Sequence, residues 1–202
     1  MQLNSFERFL VTGKLRRLVL RRFDAARLLK LGGRVDGGTV LEIGCGRGFG
    51  VEAALDLFGA KQVHAFDADR DMVGLAQREL TQRRLMAGAN APRIWHGSAN
   101  EIQAATAEYD AVFDFQVLHH VSDWRCAVEE VARVLKPGGK LYLVESLRGL
   151  IENPIWGRWM DHPREDRFTL PVLLEELERQ GFTLEAKRNW GQQFVWLTAL
   201  RN

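Results

Sequence analysis

The chain has 202 residues, 46% of them apolar and 27% charged, which excludes a disordered or fibrous protein and fits an ordinary globular one. Its 28 lysines and arginines nearly balance 26 acids, and a net charge of +2 excludes a protein that is strongly basic or acidic overall. The balance is uneven: residues 1–34 carry 9 basic and 2 acidic side chains, the remaining 168 carry 19 and 24.

The first element is therefore a basic arm. From Lys14 to Lys30, Leu15, Leu18, Val19, Phe23, Ala26 and Leu29 recur at helical spacing and share one face, with basic residues at its borders and Arg22 within it. Two readings follow: a helix packed over a sheet edge with solvated arginines, or a helix lying on anionic lipid or steering an acidic ligand. Beyond residue 34, strand-like and helix-like segments alternate. That alternation predicts a parallel sheet with helices on both faces, so the chain divides into an arm (1–34) and one α/β domain (35–202).

Within the domain, Thr39–Ile43 reads as a strand that runs into a glycine cluster and a helix at Phe49–Phe58. Gln62–Phe66 is a second strand, followed by a helix from Arg70 to Met86. Arg93–His96 and Tyr109–Phe115 are the third and fourth strands, the latter apolar enough for a buried parallel strand. A helix from Asp123 to Leu135 stops at Lys136-Pro137-Gly138-Gly139, and Lys140–Val144 is the fifth strand. Thr169 caps a helix running to Gln180, and Phe182–Lys187 with Phe194–Leu200 closes the sheet.

Cys45 and Cys126 form neither a CxxC pair nor a zinc-type cluster, which argues against a disulfide framework or a structural metal. No run approaches the ~18 apolar residues needed to span a bilayer, and no secretory signal pattern opens the chain. A cytoplasmic, reduced protein is expected.

The most informative stretch is Glu42-Ile43-Gly44-Cys45-Gly46-Arg47-Gly48-Phe49-Gly50. Alternating glycines after a strand let the backbone turn sharply and approach a ligand at a helix N-terminus. The dinucleotide pattern GxGxxG does not fit: its third glycine falls on Phe49 or Val51, depending on register. No Gly-Lys-Ser/Thr follows, which excludes a Walker phosphate loop. Asp67 ends the second strand 19 residues past Gly48. A carboxylate there can accept both hydroxyls of a nucleoside ribose; the plainer role is a helix N-cap in Asp67-Ala68-Asp69.

Together these segments resemble the class I S-adenosylmethionine-dependent methyltransferases, from about Val40 to Val144. Glu42–Gly48 resembles that family's E/D-x-G-x-G-x-G motif, and His64–Met72 its second-strand motif. Tyr109–Phe113 with Val117-Leu118-His119-His120-Val121 is similar to the fourth-strand region of the ubiquinone/menaquinone-type small-molecule branch. Val134–Lys140 matches the turn before the fifth strand. The resemblance implies a doubly wound, mostly parallel seven-stranded sheet with the last strand antiparallel, preceded by the helical arm. It implies S-adenosylmethionine as cofactor, contacted by Glu42, Gly44, Cys45, Gly46, Gly48, Asp67, Ala68, Met72, Ser98, Ala99 and Phe115. In that set Asp67 holds the ribose, Ala68 and Met72 line the adenine, and Ser98 stands where relatives often place an acid that reads the adenine amino group.

Methyl transfer from a sulfonium needs alignment more than acid–base chemistry. If a base is used, His119 and His120, after the fourth strand, are the first candidates, and Glu145 is a candidate acceptor contact. The plainer alternatives are histidines that pack or orient a loop, and a Glu145 paired with Arg148. No helical HxxxH or carboxylate ladder supports a metal site. Phe115-Gln116-Val117-Leu118 stands where nucleobase and glutamine methyltransferases of the family carry Asn/Asp-Pro-Pro-Tyr, which argues against extrahelical adenine or a glutamine amide as acceptor. The acidic body and the lack of a recognised RNA-binding module argue against nucleic acid, and a small-molecule acceptor is expected. Trp156 and Trp159, in the segment Gly149–Phe168 with Asp161, His162, Glu165 and Asp166, form either an aromatic acceptor wall or a buried turn.

Overall fold

The computed structural model describes residues 13–152 and 166–202. The arm helix has three parts: α1 (Lys14–Val19), a π-helical stretch (Leu20–Ala25) and α2 (Ala26–Gly32). The α/β body follows as β1 (Thr39–Ile43), α3 (Phe49–Asp56), β2 (Gln62–Asp67), α4 (Arg70–Gln82), β3 (Arg93–His96) and β4 (Tyr109–Phe115). A short 3-10 turn (Leu118–His120), α5 (Trp124–Val134), β5 (Leu135–Ser146), α6 (Arg148–Ile151), α7 (Leu170–Arg179), β6 (Phe182–Trp190) and β7 (Phe194–Arg201) complete it.

The seven strands lie in the order β3-β2-β1-β4-β5-β7-β6. Strands β1 to β5 pair in parallel, and β7 is antiparallel to both β5 and β6. This is the expected doubly wound sheet with its antiparallel last strand. The order reverses between β1 and β4, so the connections leaving these two strands run in opposite directions and leave a crevice at their carboxyl ends. Two apolar layers sandwich the sheet. One contains Leu41, Val112, Trp124, Val131 and Leu197; the other contains Val40, Val51, Phe58, Phe113 and Tyr142. Phe58 meets Phe113 and Tyr142 edge-on, at centroid separations of 4.7 and 5.2 Å.

Several boundaries move. The helix α4 stops at Gln82, four residues short of Met86, where Arg84 takes a left-handed conformation. Strand β5 begins at Leu135 instead of Lys140: Leu135 pairs with Tyr109 before a register shift brings Lys140 opposite Ala111, so the Pro-Gly-Gly turn is a bulge inside one strand. Thr169 occupies the N-cap position of α7 without a side-chain capping bond. At the start of α4 the side-chain cap is Asp69, which accepts from the Asp71 N–H, rather than Asp67.

The arm does not bury the whole of its apolar face. Leu15, Leu18 and Phe23 are exposed (69%, 50% and 53%), while Leu20, Asp24, Ala25 and Leu28 are buried. The cause is charge. Arg17 pairs with buried Glu52, and Arg21 with Asp56 and Glu52. The guanidinium of Arg16 donates to Asp24 at 2.9 Å, and Asp24 also accepts from the Trp196 indole N–H at 3.0 Å. Carboxylates on α3, distant in sequence, thus turn the arm's arginines inward, and the π-helical stretch shifts the regular helical register between them. The helix lies across β5, β6 and β7 on the sheet face rather than over an edge. Tyr142 and Lys140 fasten its end by donating to the Gly32 carbonyl.

Asp24 joins the half-buried Arg16 to the buried Trp196 indole, so Asp24→Ala removes the arm's charge partner and leaves the indole N–H unpaired. The variant should lose about 3 kcal/mol of stability, read as a lower urea midpoint, and an unchanged midpoint would show that the arm is not fastened here.

Candidate active site

A cavity of about 520 Å³ opens at the carboxyl ends of β1, β2 and β4, the crevice created by the strand-order reversal. Its volume lies within the range of small-molecule sites. The glycine loop forms one wall. Gly44, Gly46 and Gly48 all have positive φ (62°, 51° and 80°), a run that side chains rarely tolerate. A methyl at Gly44 would overlap the Val117 side chain, and one at Gly50 would overlap the Glu42 carboxylate. At Gly46 nothing lies within 4 Å: that position faces open space in the cavity wall.

Asp67 lies beside this loop. Its Oδ2 accepts from the Gly46 N–H and its Oδ1 from the Asp69 N–H, both at 2.8 Å. Burial pushes its pKa up against the pull of these backbone donors. Each oxygen keeps a further lone pair for a hydroxyl donor. Ala68, Met72, Ser98 and Ala99 continue the wall on this side. Ser98 Oγ accepts from the Asn100 N–H at 3.2 Å, and Asn100 in turn donates to the Asp123 carbonyl at 2.7 Å.

Across the cavity lie Phe115, Gln116, Val117 and His120. Gln116 holds a left-handed φ of 69°, a strained conformation for a residue with a side chain, pinned by its N–H on the Val144 carbonyl. Arg16 reaches in from the arm, its second terminal nitrogen 3.4 Å from the Phe115 carbonyl.

The chain matches the family model described as a methyltransferase domain over residues 41–143. It is 33% identical over 160 residues to a Mycolicibacterium smegmatis protein named as an S-adenosylmethionine-dependent methyltransferase, the match covering 77% of this chain and 56% of that protein. A ubiquinone biosynthesis O-methyltransferase of Xanthomonas oryzae is 32% identical over 126 residues, or 61% of this chain and 50% of that one. In fold, a SAM-dependent methyltransferase from Aquifex aeolicus covers all of both chains with a TM-score of 0.77 at 20% identity. The chain belongs to the class I S-adenosylmethionine-dependent methyltransferases. It spans about half the length of the two named sequence relatives.

For an S-adenosylmethionine methyltransferase the cavity has fitting features: a backbone cradle without side chains at Gly46, an acid with free lone pairs at Asp67 and a cation at Arg16. Of the residues expected at the cofactor, Gly44, Gly46, Asp67, Ala68, Met72, Ser98, Ala99 and Phe115 line it. Glu42, Cys45 and Gly48 do not. Glu42 is buried beneath the loop, where burial raises its pKa well above the usual carboxylate range against one backbone N–H bond from Val51. Cys45 is buried and its thiol pKa is raised by that burial, which makes it structural rather than nucleophilic. Gly48 is the N-cap of α3.

The candidate bases His119 and His120 and the candidate acceptor contact Glu145 divide in the same way. His120 lines the cavity, whereas His119 and Glu145 are buried behind it and joined to each other, Nδ1 to Oε2, at 2.6 Å. Glu145 therefore engages His119, and Arg148 pairs instead with Glu152 at 2.7 Å. Among the described residues no three histidine, cysteine or acidic side chains come together as a metal site. Trp156, Trp159, Asp161, His162 and Glu165 lie outside the described residues; Asp166 lies within them and pairs with Arg125. Arg16 and Gln116 went unread in the sequence. A helical arginine gives no local cue that it ends in a cavity, and Gln116 became visible only through its backbone strain.

Gly46→Ala separates folding from binding. It should cost about 1–2 kcal/mol of stability for the left-handed backbone, yet weaken S-adenosylhomocysteine binding at least ~10-fold by placing a methyl in the cradle. Calorimetric titration beside a urea curve checks both; intact binding would remove the loop from the cofactor site.

Proposed function

We propose that this chain transfers the methyl group of S-adenosylmethionine to a small-molecule acceptor held in the outer part of the same cavity. The observation that carries this reading is the convergence of Asp67, the Gly46 backbone and Arg16 on one space. Asp67 takes the ribose hydroxyls, Ala68 and Met72 flank the adenine, and Ser98 with the Ala99 backbone takes the place of an adenine-reading acid. Arg16 takes the cofactor's carboxylate, since a guanidinium is the preferred partner of a planar anion. The Gly44–Gly48 backbone and Phe115 enclose the methionine end.

When bound, S-adenosylmethionine supplies a methyl already activated by the sulfonium charge. The chain's own contribution is alignment and exclusion of water, by Phe115, Val117 and the strained Gln116. His120 is the side chain placed to take a proton from an acceptor hydroxyl or amine, because it faces the cavity and His119 does not. The name of the Xanthomonas relative, an O-methyltransferase of ubiquinone biosynthesis, supports a small acceptor over a nucleic acid.

A second reading keeps this chemistry and moves it to an anionic membrane surface. It is favoured by the exposed Leu15, Leu18 and Phe23, which flank the helix that delivers Arg16, together with exposed Arg22. Among the described residues no helix is long and apolar enough to cross a membrane, so such an association would be peripheral.

Titration with S-adenosylhomocysteine and NADH tests the cofactor. Binding of the former alone is expected, weakened about 10-fold or more in Arg16→Ala and Asp67→Ala, each of which removes a charge-assisted bond. NADH binding without S-adenosylhomocysteine binding would overturn the reading. Turnover is tested by S-adenosylhomocysteine release across phenols, amines and carboxylic acids; tight cofactor binding with no turnover would leave a binding protein.

For the membrane reading, deletion of residues 1–34 is a poor probe because it also removes Arg16 and the core residues Leu20 and Leu28. The triple variant Leu15→Ser, Leu18→Ser, Phe23→Ser should lose flotation with phosphatidylglycerol vesicles and keep its cofactor affinity. Equal flotation of variant and wild type would sink the membrane version.

A further inference from the structure

Behind the cavity wall lies a cluster of buried ionisable side chains that cofactor binding, as described above, leaves unused. Asp114 on β4 and Glu145 on β5 are both completely buried. Asp114 Oδ1 accepts from the Val117 N–H at 2.9 Å, and Glu145 Oε2 accepts from the Ser146 N–H at 3.0 Å and meets His119 Nδ1 at 2.6 Å. The remaining oxygens, Asp114 Oδ2 and Glu145 Oε1, are buried without a well-formed hydrogen bond among the described residues. The two carboxyls lie on adjacent strands, close enough to act on each other's ionisation and both reached by the Leu118 N–H, an arrangement in which one proton can be shared between them.

The charges facing this pair come from several elements. His119 and His120 stand on the 3-10 turn with ring centroids 4.1 Å apart, and Arg167, from the segment before α7, donates to the His119 carbonyl. Asp166 acts on Arg167. From the cavity side Glu42 acts on Asp114, and Arg16 acts on Glu42. Across β7 the neighbour of Glu145 is the apolar Val195.

Only one layer separates the cluster from the cavity. Val117, whose N–H is bonded to Asp114, packs against Gly44, and Phe115, Gln116 and Val117 all line the space that begins one residue after Asp114. S-adenosylmethionine carries a positive sulfur; S-adenosylhomocysteine does not. We propose that the Asp114–Glu145–His119 cluster is a one-proton store that gives up its proton when the sulfonium form binds and keeps it when the neutral thioether form binds, so that the protein discriminates cofactor from product by proton linkage. The inference rests on the cofactor reading above.

The chemistry balances as a binding step: protonated protein plus cation gives the complex plus one proton to solvent, and no bond to carbon changes. Burial and the Glu145 carboxyl hold Asp114 well above its usual range, and burial lifts Glu145 to about 8 against the pull of Asp114 and of backbone donors, so the cluster can exchange a proton near neutrality. The sign follows. A cation favours the deprotonated cluster, so its affinity rises with pH, by at most ~10-fold per unit for one linked proton. The thioether gains nothing from this cluster.

Calorimetric titration in buffers of different ionisation enthalpy, from about pH 6.5 to 8.5, reads the protons released on binding either ligand. Greater release with S-adenosylmethionine than with S-adenosylhomocysteine is expected, and the ratio of their affinities should rise with pH. In Asp114→Asn the amide replaces the protonated acid and supplies Glu145 with a permanent donor. There the difference in proton release should vanish and the affinity ratio should become flat. Equal release in the wild type, or a difference that persists in Asp114→Asn, overturns the proposal while leaving the cofactor reading intact; failure of both ligands to bind overturns both. Where Asp114→Asn does not fold, infrared difference spectra of the wild type decide: loss of a protonated-carboxyl band with the sulfonium alone supports the store, and identical spectra with the two ligands contradict it.

Discussion

At the carboxyl end of β1 the backbone has to turn through a space in which no side chain fits. Glu42 fills the floor beneath Gly50, Val117 closes on Gly44, and three glycines in left-handed conformation carry the chain between them into α3. This close approach fixes three things together. It sets the distance between β1 and the segment after β4, it aims the Gly46 N–H at Asp67, and it leaves one open position in the wall. The strand-order reversal places a crevice at this edge in any doubly wound sheet. The glycine turn makes the crevice one that a flat, polar, chain-like cofactor can enter.

Electrostatics around that turn rest on carboxylates of the body, above all the buried Glu52, that meet cations distant in sequence. Arg17 and Arg21 meet Glu52 and Asp56 on α3, and Arg16 meets the arm's own Asp24, so part of the excess positive charge of residues 1–34 is matched by the body. The arm is part of the site, because the helix held by these pairs carries Arg16 into the cavity. Behind the opposite wall two carboxyls and a histidine are buried together, where a nearby formal charge acts strongly because little water intervenes to screen it.

The sheet was legible because its determinants are local. Apolar runs such as Tyr109–Phe115, and the glycine spacing after Ile43, carry their meaning within a few residues, and the structure returns β1, β3 and β4 with the predicted bounds. Asp67 was legible for the same reason, through its distance from the loop. Where a partner far along the chain decides the outcome, reading failed. The apolar spacing of Leu15, Leu18 and Phe23 leaves open whether that face packs on the body or on lipid, and the carboxylates of α3 turn it outward. Asp114 passed as one more residue of an apolar strand, and the pairing of Glu145 with His119 needed β4, β5 and the 3-10 turn to be placed side by side. The Pro-Gly-Gly turn misled in the other direction: a strong local stop signal ends α5 but is absorbed as a bulge within β5.

The crevice between β1 and β4, with the arm as one of its walls, is the cofactor site we propose. A crystal structure of the chain with S-adenosylhomocysteine bound tests this most directly. The expected structure has the ribose hydroxyls on Asp67, the homocysteine carboxylate at Arg16 and the sulfur facing Phe115 and Val117. A ligand bound elsewhere, or bound here with Arg16 turned away and Asp67 unengaged, would contradict it.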